Sequence, residues 1–198
     1  MGDARRKPTV LGVLGSPRRR SNTGGLLERV LVGAAAAGAE TELIRLRDLQ
    51  FESCRHCGGC NKTGRCVVED DMQEIYSKLR AAQHLVLASP IHFAGVSGET
   101  KAMIDRAQCC WVETYRLKRS VAEVSGERRA VFIATCGGRD TRVFEWAMPT
   151  VRAFLNSTGF RCWGELLEAN TDAPPPLSER GHTLAKAEAL GRGIVEGD

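Results

Sequence analysis

The sequence VLGVLGSPRRRSNT at residues 10–23 decides the fold class of this chain. Its apolar first half is typical of a buried parallel strand, and this strand ends at Gly15. A polar loop follows and leads into the helical pattern GGLLERVLVGAAAAG. The first turn of a helix has backbone N–H groups without intrahelical partners, and the peptide dipoles add partial positive charge there. This order of elements predicts an anion-binding site at the helix N-terminus.

The loop carries side chains that suit a phosphate group: Ser16, Arg18, Ser21, Asn22 and Thr23. Hydroxyl groups donate hydrogen bonds, and a guanidinium group can bind two phosphate oxygens at once. The loop lacks the Lys-Ser/Thr ending of a nucleoside-triphosphate loop and the GxGxxG spacing of a dinucleotide fold. We therefore expect it to bind a terminal phosphate monoester. The alternative is that Ser21 or Thr23 caps the helix beside a solvated run of arginines.

Length and composition predict one domain over residues 1–198, with a cysteine-rich insertion at about 47–70. No segment is apolar enough for a membrane span, and the charged start MGDARRKPTV lacks the apolar core of a signal peptide. We therefore expect a cytoplasmic protein with no membrane partner. The net charge is +4, and basic residues cluster at 5–7 and 18–20. No aromatic residues alternate with these clusters, so we expect no nucleic-acid partner.

Five short apolar segments alternate with helical patterns, at about residues 10–14, 40–46, 84–89, 130–135 and 160–166. We expect Pro90 to end the third strand and Asp71 to cap the helix that follows the cysteine-rich segment. Strands that alternate with helices indicate a mainly parallel sheet covered on both faces. In such sheets ligands bind beyond the carboxyl ends of the strands. The loops at 15–23, 90–97 and 135–139 should therefore meet at one site.

The patterns GSPR…SNT, SPIHF…VSGETKAMIDR and ATCGG occur in this order along the chain. Together they resemble the NAD(P)H-dependent FMN reductase branch of the flavodoxin-like superfamily, over about residues 9–165. The resemblance implies a flavodoxin-like α/β fold: a five-stranded parallel sheet, in the order 2-1-3-4-5, with helices on both faces. It also implies an enzyme, an FMN-dependent oxidoreductase that takes hydride from NAD(P)H and passes electrons to a small-molecule or protein acceptor. Flavin sites of this family lie at subunit interfaces, which implies a homodimer or homotetramer.

The resemblance also implies which residues contact FMN, loop by loop. The first loop holds the phosphate, through Ser16, Arg18, Ser21, Asn22 and Thr23. The second loop contacts the ribityl chain and the ring, through Pro90, Ile91, His92, Phe93 and Ser97. The third lies against the ring and comprises Thr135, Cys136, Gly137 and Gly138. His92 stands where family members usually carry tyrosine. No side chain is assigned a catalytic role, since the flavin supplies the chemistry.

A second cofactor is suggested by Cys54, Cys57, Cys60 and Cys66, which are spaced C-x2-C-x2-C-x5-C. A run this compact lets several thiolates converge on one iron–sulfur cluster, whereas zinc is more typically held by two CxxC knuckles farther apart. The spacing resembles that of the iron–sulfur flavoproteins, a subgroup of the same superfamily that couples FMN to a [4Fe–4S] cluster. The alternative is that the four cysteines are free thiols or contain a redox-active pair.

Three hypotheses for the function follow. The first is the FMN-dependent oxidoreductase, with NAD(P)H as the electron donor. The second is an iron–sulfur flavoprotein that acts as an electron carrier through a [4Fe–4S] cluster. The third, from a different class, is a non-enzymatic redox sensor based on zinc or thiols. Steady turnover of NAD(P)H separates the first hypothesis from the other two, and metal analysis separates the second from the third.

Overall fold

Five parallel strands form the central sheet of the computed structural model, which describes residues 7–197. Their order across the sheet is β2-β1-β3-β5-β6, so the predicted order of the five parallel strands is confirmed. A two-residue strand, β4, pairs antiparallel with the end of β3. The strands are β1 (Thr9–Leu14), β2 (Glu40–Arg45), β3 (His84–His92), β4 (Gly95–Val96), β5 (Arg129–Thr135) and β6 (Arg161–Glu168).

Helices cover both faces of this sheet, as predicted. They are α1 (Asn22–Ala36), α2 (Met72–Ala81), α3 (Gly98–Arg106), α4 (Gln108–Trp111), α5 (Arg142–Thr158) and α6 (Gly181–Glu196). One apolar core contains side chains of α1 and α6, and the other contains side chains of α2, α3 and α5. No helix within residues 7–197 is long and apolar enough to cross a membrane. Arg5 and Arg6 of the N-terminal basic cluster lie outside the described residues.

Alternate residues of the central strands contribute to the two cores. In β3, Leu85 and Leu87 belong to the core beneath α2, whereas Val86 and Ala88 belong to the core beneath α1. This follows from the two-residue repeat of a strand, which points successive side chains to opposite faces. A parallel strand covered on both faces therefore has to be apolar at nearly every position. This is why each of these strands can be recognised in the sequence as a short continuous run of apolar residues.

The expectation that Pro90 ends the third strand is wrong, because β3 continues through Pro90 to His92. The register explains why proline is tolerated there. β1 pairs with β3 only as far as Ala88, so Pro90 has one parallel neighbour, Thr135 of β5. Because no second parallel strand pairs with this residue, its missing backbone N–H leaves no carbonyl of the sheet without a donor.

The expectation that Asp71 caps α2 is also wrong. Its side chain accepts a hydrogen bond from the backbone N–H of Gln50 at 2.6 Å and makes no capping bond. The neighbouring Asp70 accepts the N–H of Met72 at 3.1 Å instead. Two adjacent carboxylates compete for the same helix start, and the sequence alone does not decide between them.

His84, at the start of β3, is buried in a position that favours its neutral form. Its Nδ1 atom accepts a hydrogen bond from the backbone N–H of Arg129 at 3.3 Å. Burial, and then the positive charge of Arg129, lowers the pKa of His84 from 6.5 to about 4. The unfolded chain therefore takes up a proton on this histidine at a higher pH than the folded chain does.

We expect the free energy of unfolding to fall as the pH is lowered from about 6.5 to about 4, since only the unfolded chain protonates His84 in that range. The contribution is on the order of 3 kcal/mol in total, with a slope of up to about 1.4 kcal/mol per pH unit. Chemical denaturation at a series of pH values measures it. The variant H84Q should lose most of this slope, and an equal slope in both proteins would contradict the assignment.

Candidate functional site

The carboxyl ends of β1, β3 and β5 meet at a polar cleft of about 150 Å³. It contains every residue predicted for the first loop, since Ser16, Arg18, Ser21, Asn22 and Thr23 all line it. From the other two predicted loops it contains Pro90, Ile91, His92, Thr135, Cys136 and Gly137. Pro17, Thr171 and Asp172 complete the lining. The cleft therefore joins all three loops, while Phe93, Ser97 and Gly138 lie outside it.

The first loop ends at the N-terminus of α1, where Ser21 is the capping residue. Its hydroxyl accepts the backbone N–H of Gly24 at 3.0 Å. Ser16 is almost completely buried, and its hydroxyl lies 3.4 Å from the backbone nitrogen of Arg18. No acidic residue stands in the first turn of α1. Capping by Ser21 and an anion site are thus compatible, because one side chain occupies one of the four free N–H groups.

Thr23 connects the first loop to the third. Its hydroxyl lies 2.7 Å from the hydroxyl of Thr135, although 112 residues separate the two in sequence. Both side chains are buried. Asn22 donates from its amide nitrogen to the carbonyl of Thr171 at 3.4 Å. The end of the cleft nearest α1 is therefore lined by hydroxyl, amide and backbone N–H groups that fit the oxygens of a phosphate monoester.

The second loop is a tight hairpin between β3 and β4. His92 pairs with Gly95, so the two residues between them form the turn. Phe93 and Ala94 have φ values of 47° and 62°, the left-handed backbone that a two-residue hairpin turn requires. This turn holds the ring of Phe93 in solvent, fully exposed. Ile91 and His92 precede the turn and line the cleft.

Ser97 lies next to the cleft but is not part of its lining. It is fully buried, and its hydroxyl donates to the carbonyl of Gly15 at 2.5 Å. The same hydroxyl accepts the backbone N–H of Thr100 at 3.3 Å and so caps α3. The structure therefore places Ser97 behind the cleft, where it ties the second loop to the first.

The third loop is held by the segment after β6, which sequence reasoning missed. The backbone N–H of Thr171 donates to the carbonyl of Cys136 at 3.1 Å, and that of Asn170 donates to the carbonyl of Gly138 at 2.7 Å. The pairing brings the carboxylate of Asp172 over Gly137. The signal was available, because β6 is parallel to β5 and its carboxyl end reaches the same edge of the sheet.

Cys136 lines the cleft as a neutral thiol. Burial, followed by the negative charges of Asp140 and Asp172, raises the pKa of Cys136. Its sulfur donates to the carbonyl of Gly138 at 3.3 Å. A thiol held neutral in this way is a poor nucleophile, because the thiolate is the reactive form. This environment therefore disfavours thiolate chemistry at Cys136.

The four motif cysteines line a second, smaller cavity of about 60 Å³, here called the cysteine cavity. Cys54, Cys57, Cys60 and Cys66 all contribute to it, and so does Cys109 from α4. None of these cysteines forms a disulfide. The segment that carries the motif has no helix or strand between Asp48 and Met72, so side-chain contacts have to hold it in place.

The arrangement of the four thiols bears on which metal group they suit. Within residues 7–197, no three His, Cys, Asp or Glu side chains converge closely enough to hold one metal ion. A single tetrahedral zinc ion would need all its sulfurs about 2.3 Å away. In a four-iron cluster each thiolate binds a separate iron atom, so the sulfur atoms can lie farther apart than around one zinc ion. Four free thiols around one cavity fit a cluster better than a zinc ion.

Arg106, the last residue of α3, anchors the cysteine segment. Its guanidinium binds the carboxylate of Asp70 through two hydrogen bonds of 2.5 and 2.9 Å and donates to the carbonyl of Glu52 at 3.0 Å. Burial lowers the pKa of Arg106, but its hydrogen bonding with Asp70, together with the neighbouring Tyr76 and Cys66, outweighs burial, so the pKa is raised overall. Burial likewise acts to raise the pKa of Asp70, yet the bonds and charge of Arg106 hold it below its usual value. Both groups are therefore charged at neutral pH.

Comparison with known proteins agrees with this geometry. Residues 8–154 match the family model described as NADPH-dependent FMN reductase. An iron-sulfur flavoprotein of Methanocaldococcus jannaschii is 35% identical over 134 residues, covering 68% of this chain and 67% of that protein. An iron-sulfur flavoprotein of Methanosarcina thermophila is 32% identical over 122 residues, covering 60% of this chain and 64% of that protein. The chain thus spans about two thirds of the length of these relatives.

Solved structures show the same fold. An NAD(P)H:quinone oxidoreductase from Methanothermobacter marburgensis aligns over 96% of this chain and 98% of its own, with a TM-score of 0.70 and 21% identity. An FMN-dependent NADH-azoreductase from Bacillus anthracis, solved with FMN, aligns over 95% and 99% with a TM-score of 0.66 and 14% identity. The fold class is flavodoxin-like. Within it, this chain belongs to the FMN-binding family of NADPH-dependent FMN reductases.

Gly137 gives a direct test of the cleft. A Cβ atom added there would lie 2.1 Å from a carboxylate oxygen of Asp172, so Gly137→Ala has to push this side chain into or out of the cleft. We expect the Kd for FMN to rise at least about tenfold, equivalent to about 1.4 kcal/mol. Quenching of flavin fluorescence on titration of the apoprotein measures it.

The matched control is Gly98→Ala at the exposed start of α3, where an added Cβ meets nothing within 4 Å. Its affinity for FMN should equal that of the wild type. Equal affinity in G137A and the wild type would show that the ligand space does not include this loop.

Proposed function

We propose that this protein is an FMN-dependent oxidoreductase that takes hydride from NAD(P)H and passes electrons to a small-molecule or protein acceptor. One observation carries the proposal: three loops distant in sequence line one polar cleft at the carboxyl ends of the central strands. This edge is where parallel α/β sheets bind their ligands. Membership of the NADPH-dependent FMN reductase family supports the choice of cofactor and donor.

The phosphate of FMN would be held by the first loop and the start of α1, through Ser16, Arg18, Ser21, Asn22 and Thr23. Arg18 is exposed and supplies a positive charge that can approach the phosphate from solvent. The hydrogen bond between Thr23 and Thr135 holds the first and third loops at a fixed separation. Loops that are already held in place increase the affinity for FMN, because they lose less conformational freedom when it binds.

The remaining lining suits the rest of the cofactor. When bound, FMN accepts a hydride and returns its electrons to an acceptor. Ile91 offers an apolar side chain for the ring, and Gly137 leaves backbone accessible because it has no side chain of its own. Asp172 is a carboxylate that can accept hydrogen bonds from ribityl hydroxyls or a ring N–H. His92, where family members usually carry tyrosine, presents an exposed imidazole beside the cleft.

Reaction with the nicotinamide tests the proposal. FMN-loaded protein, purified without oxygen, is mixed with NADPH or NADH, and the visible flavin absorption is followed. We expect the flavin absorption band to bleach when the nicotinamide is mixed in, and to return when oxygen or a quinone is added. G98A should behave like the wild type, since its substitution lies in open space. Bound flavin that dithionite reduces and neither nicotinamide reduces would refute the enzyme and leave the electron carrier.

A second candidate function is favoured by the cysteine cavity: an iron–sulfur flavoprotein that carries electrons through a [4Fe–4S] cluster. Cys54, Cys57, Cys60 and Cys66 all line this cavity as free thiols. Two relatives that are 35% and 32% identical are named iron-sulfur flavoproteins. The two functions are compatible in one molecule, because a cluster can accept singly the electrons that a flavin receives as a pair.

We expect anaerobically purified protein to contain about four iron and four sulfide per chain. Cys66→Ser should lose most of both, because it removes one of the four sulfur ligands. The matched control is Cys162→Ser, a partly exposed cysteine of β6 that does not line the cavity. Iron and sulfide analysis with the visible spectrum measures the outcome. Wild-type protein that holds zinc and no sulfide, and does not turn over NAD(P)H, would support the redox sensor instead.

We also propose a homodimer or homotetramer, as the family resemblance implies. Three partly exposed aromatic side chains, carried by α4, the turn after it and α5, offer apolar surface for such an interface. They are Trp111, Tyr115 and Trp146. The cytoplasm is the proposed location, because the proposed cofactors and donor are found there.

A further inference from the structure

We propose that Arg106 sets the reduction potential of the iron–sulfur cluster through its hydrogen bond to Cys66 and its positive charge. This inference rests on the cluster proposed above. Arg106 is a positioning and charge-compensating residue in this role and is not a ligand. Its partner Asp70 acts in the opposite direction, since it neutralises part of the same charge.

The contacts of Arg106 place its charge next to the thiols. One terminal nitrogen lies 3.5 Å from the sulfur of Cys66, within the distance of a hydrogen bond to sulfur. The guanidinium lines the cysteine cavity and also a neighbouring cleft of about 640 Å³ to which Cys54, Cys57 and Cys66 contribute. The side chain is 3% exposed, so water screens its charge very little.

The Arg106 side chain also has spare hydrogen-bonding capacity. Its Nε atom is buried and has no hydrogen-bond partner within residues 7–197. A buried donor without an acceptor is costly and rare in folded proteins. The bonds to Asp70, to the Glu52 carbonyl and to Cys66 thus occupy the two terminal nitrogens of the guanidinium and leave the Nε–H without an acceptor among the described residues.

Reduction adds negative charge to the cluster, and Arg106 lies where it can stabilise that charge. On one-electron reduction a bound cluster would gain a single electron, supplied by the reduced flavin, with no bond to the protein formed or broken, and would become one unit more negative. An N–H group that donates to a thiolate sulfur, and a nearby positive charge, both stabilise the more negative state. Arg106 should therefore raise the reduction potential.

The pairing with Asp70 allows this role to be separated from simple support of the fold. Asp70 is 16% exposed and binds Arg106 through both carboxylate oxygens. If Arg106 only supports the segment, removing either partner loosens the same contact and changes the potential in the same direction or not at all. If its charge acts on the cluster, the two removals shift the potential in opposite directions.

The experiment is a spectroelectrochemical titration of the cluster in four variants of the full chain. R106Q should lower the reduced-to-oxidised ratio at a fixed potential about tenfold, which corresponds to about 59 mV for one electron. D70N should raise the potential. R106K keeps the charge without the fork that reaches Cys66, so its potential should lie between those of R106Q and the wild type.

The matched control is E113Q, which breaks another buried ion pair. Glu113 binds Arg80 at 2.6 Å, the side chains are 8% and 4% exposed, and neither lines the cysteine cavity. Its loss of stability should resemble that of R106Q, while its potential should shift much less than in D70N, because neither Glu113 nor Arg80 lines the cysteine cavity. If R106Q fails to fold, the opposed shifts of D70N and R106K still decide the question.

Each result has a defined meaning. Opposite shifts in D70N and R106K, with a much smaller shift in E113Q, support the proposal. A cluster whose potential is the same in all variants overturns the role of Arg106 and leaves the proposed cluster intact. A wild-type protein without iron and sulfide overturns the cluster and this inference together.

Discussion

The parallel pairing of β1, β3 and β5 is the constraint on which the candidate site depends. Because these strands run in the same direction, the loops at their carboxyl ends have to meet at one edge of the sheet. This geometry brings Thr23 and Thr135 to 2.7 Å across 112 residues of sequence. β1 lies between β2 and β3, with its helix α1 on one face and α2 on the other. The N-terminus of α1 is thereby directed at the cleft.

The cysteine segment depends on a different kind of interaction. No strand or helix lies between Asp48 and Met72, so the segment cannot be held by a regular backbone ladder. Side chains from the neighbouring helices replace it. Arg106 of α3 binds Asp70, and Gln73 of α2 donates to the carbonyl of Val68 at 2.7 Å. Removing one partner of a buried ion pair typically costs about 3–5 kcal/mol, because the remaining charge stays buried and unpaired. The position of the thiols is therefore coupled to the packing of α2 and α3.

Much of this organisation is predictable from local sequence, and the exceptions have physical causes. Apolar runs identify the five parallel strands, because each strand is buried on both faces. The phosphate loop is readable because strand, polar turn and helix are adjacent in sequence. Asp172 is not readable in this way, since its position depends on Thr171 pairing with Cys136, which lies 35 residues away. The same holds for Ser97 and Arg106. Their partners, Gly15 and Asp70 respectively, are set by tertiary packing.

The phosphate site is the claim from which the flavin, the nicotinamide and the electron path all follow. The most direct test compares the binding of FMN with that of riboflavin, which lacks only the phosphate, by calorimetric titration of the apoprotein. Two charge-assisted hydrogen bonds of about 1.5 kcal/mol each predict that FMN binds at least about 100-fold more tightly. Equal affinity for the two flavins would contradict the account, because the loop before α1 would then make no use of the phosphate.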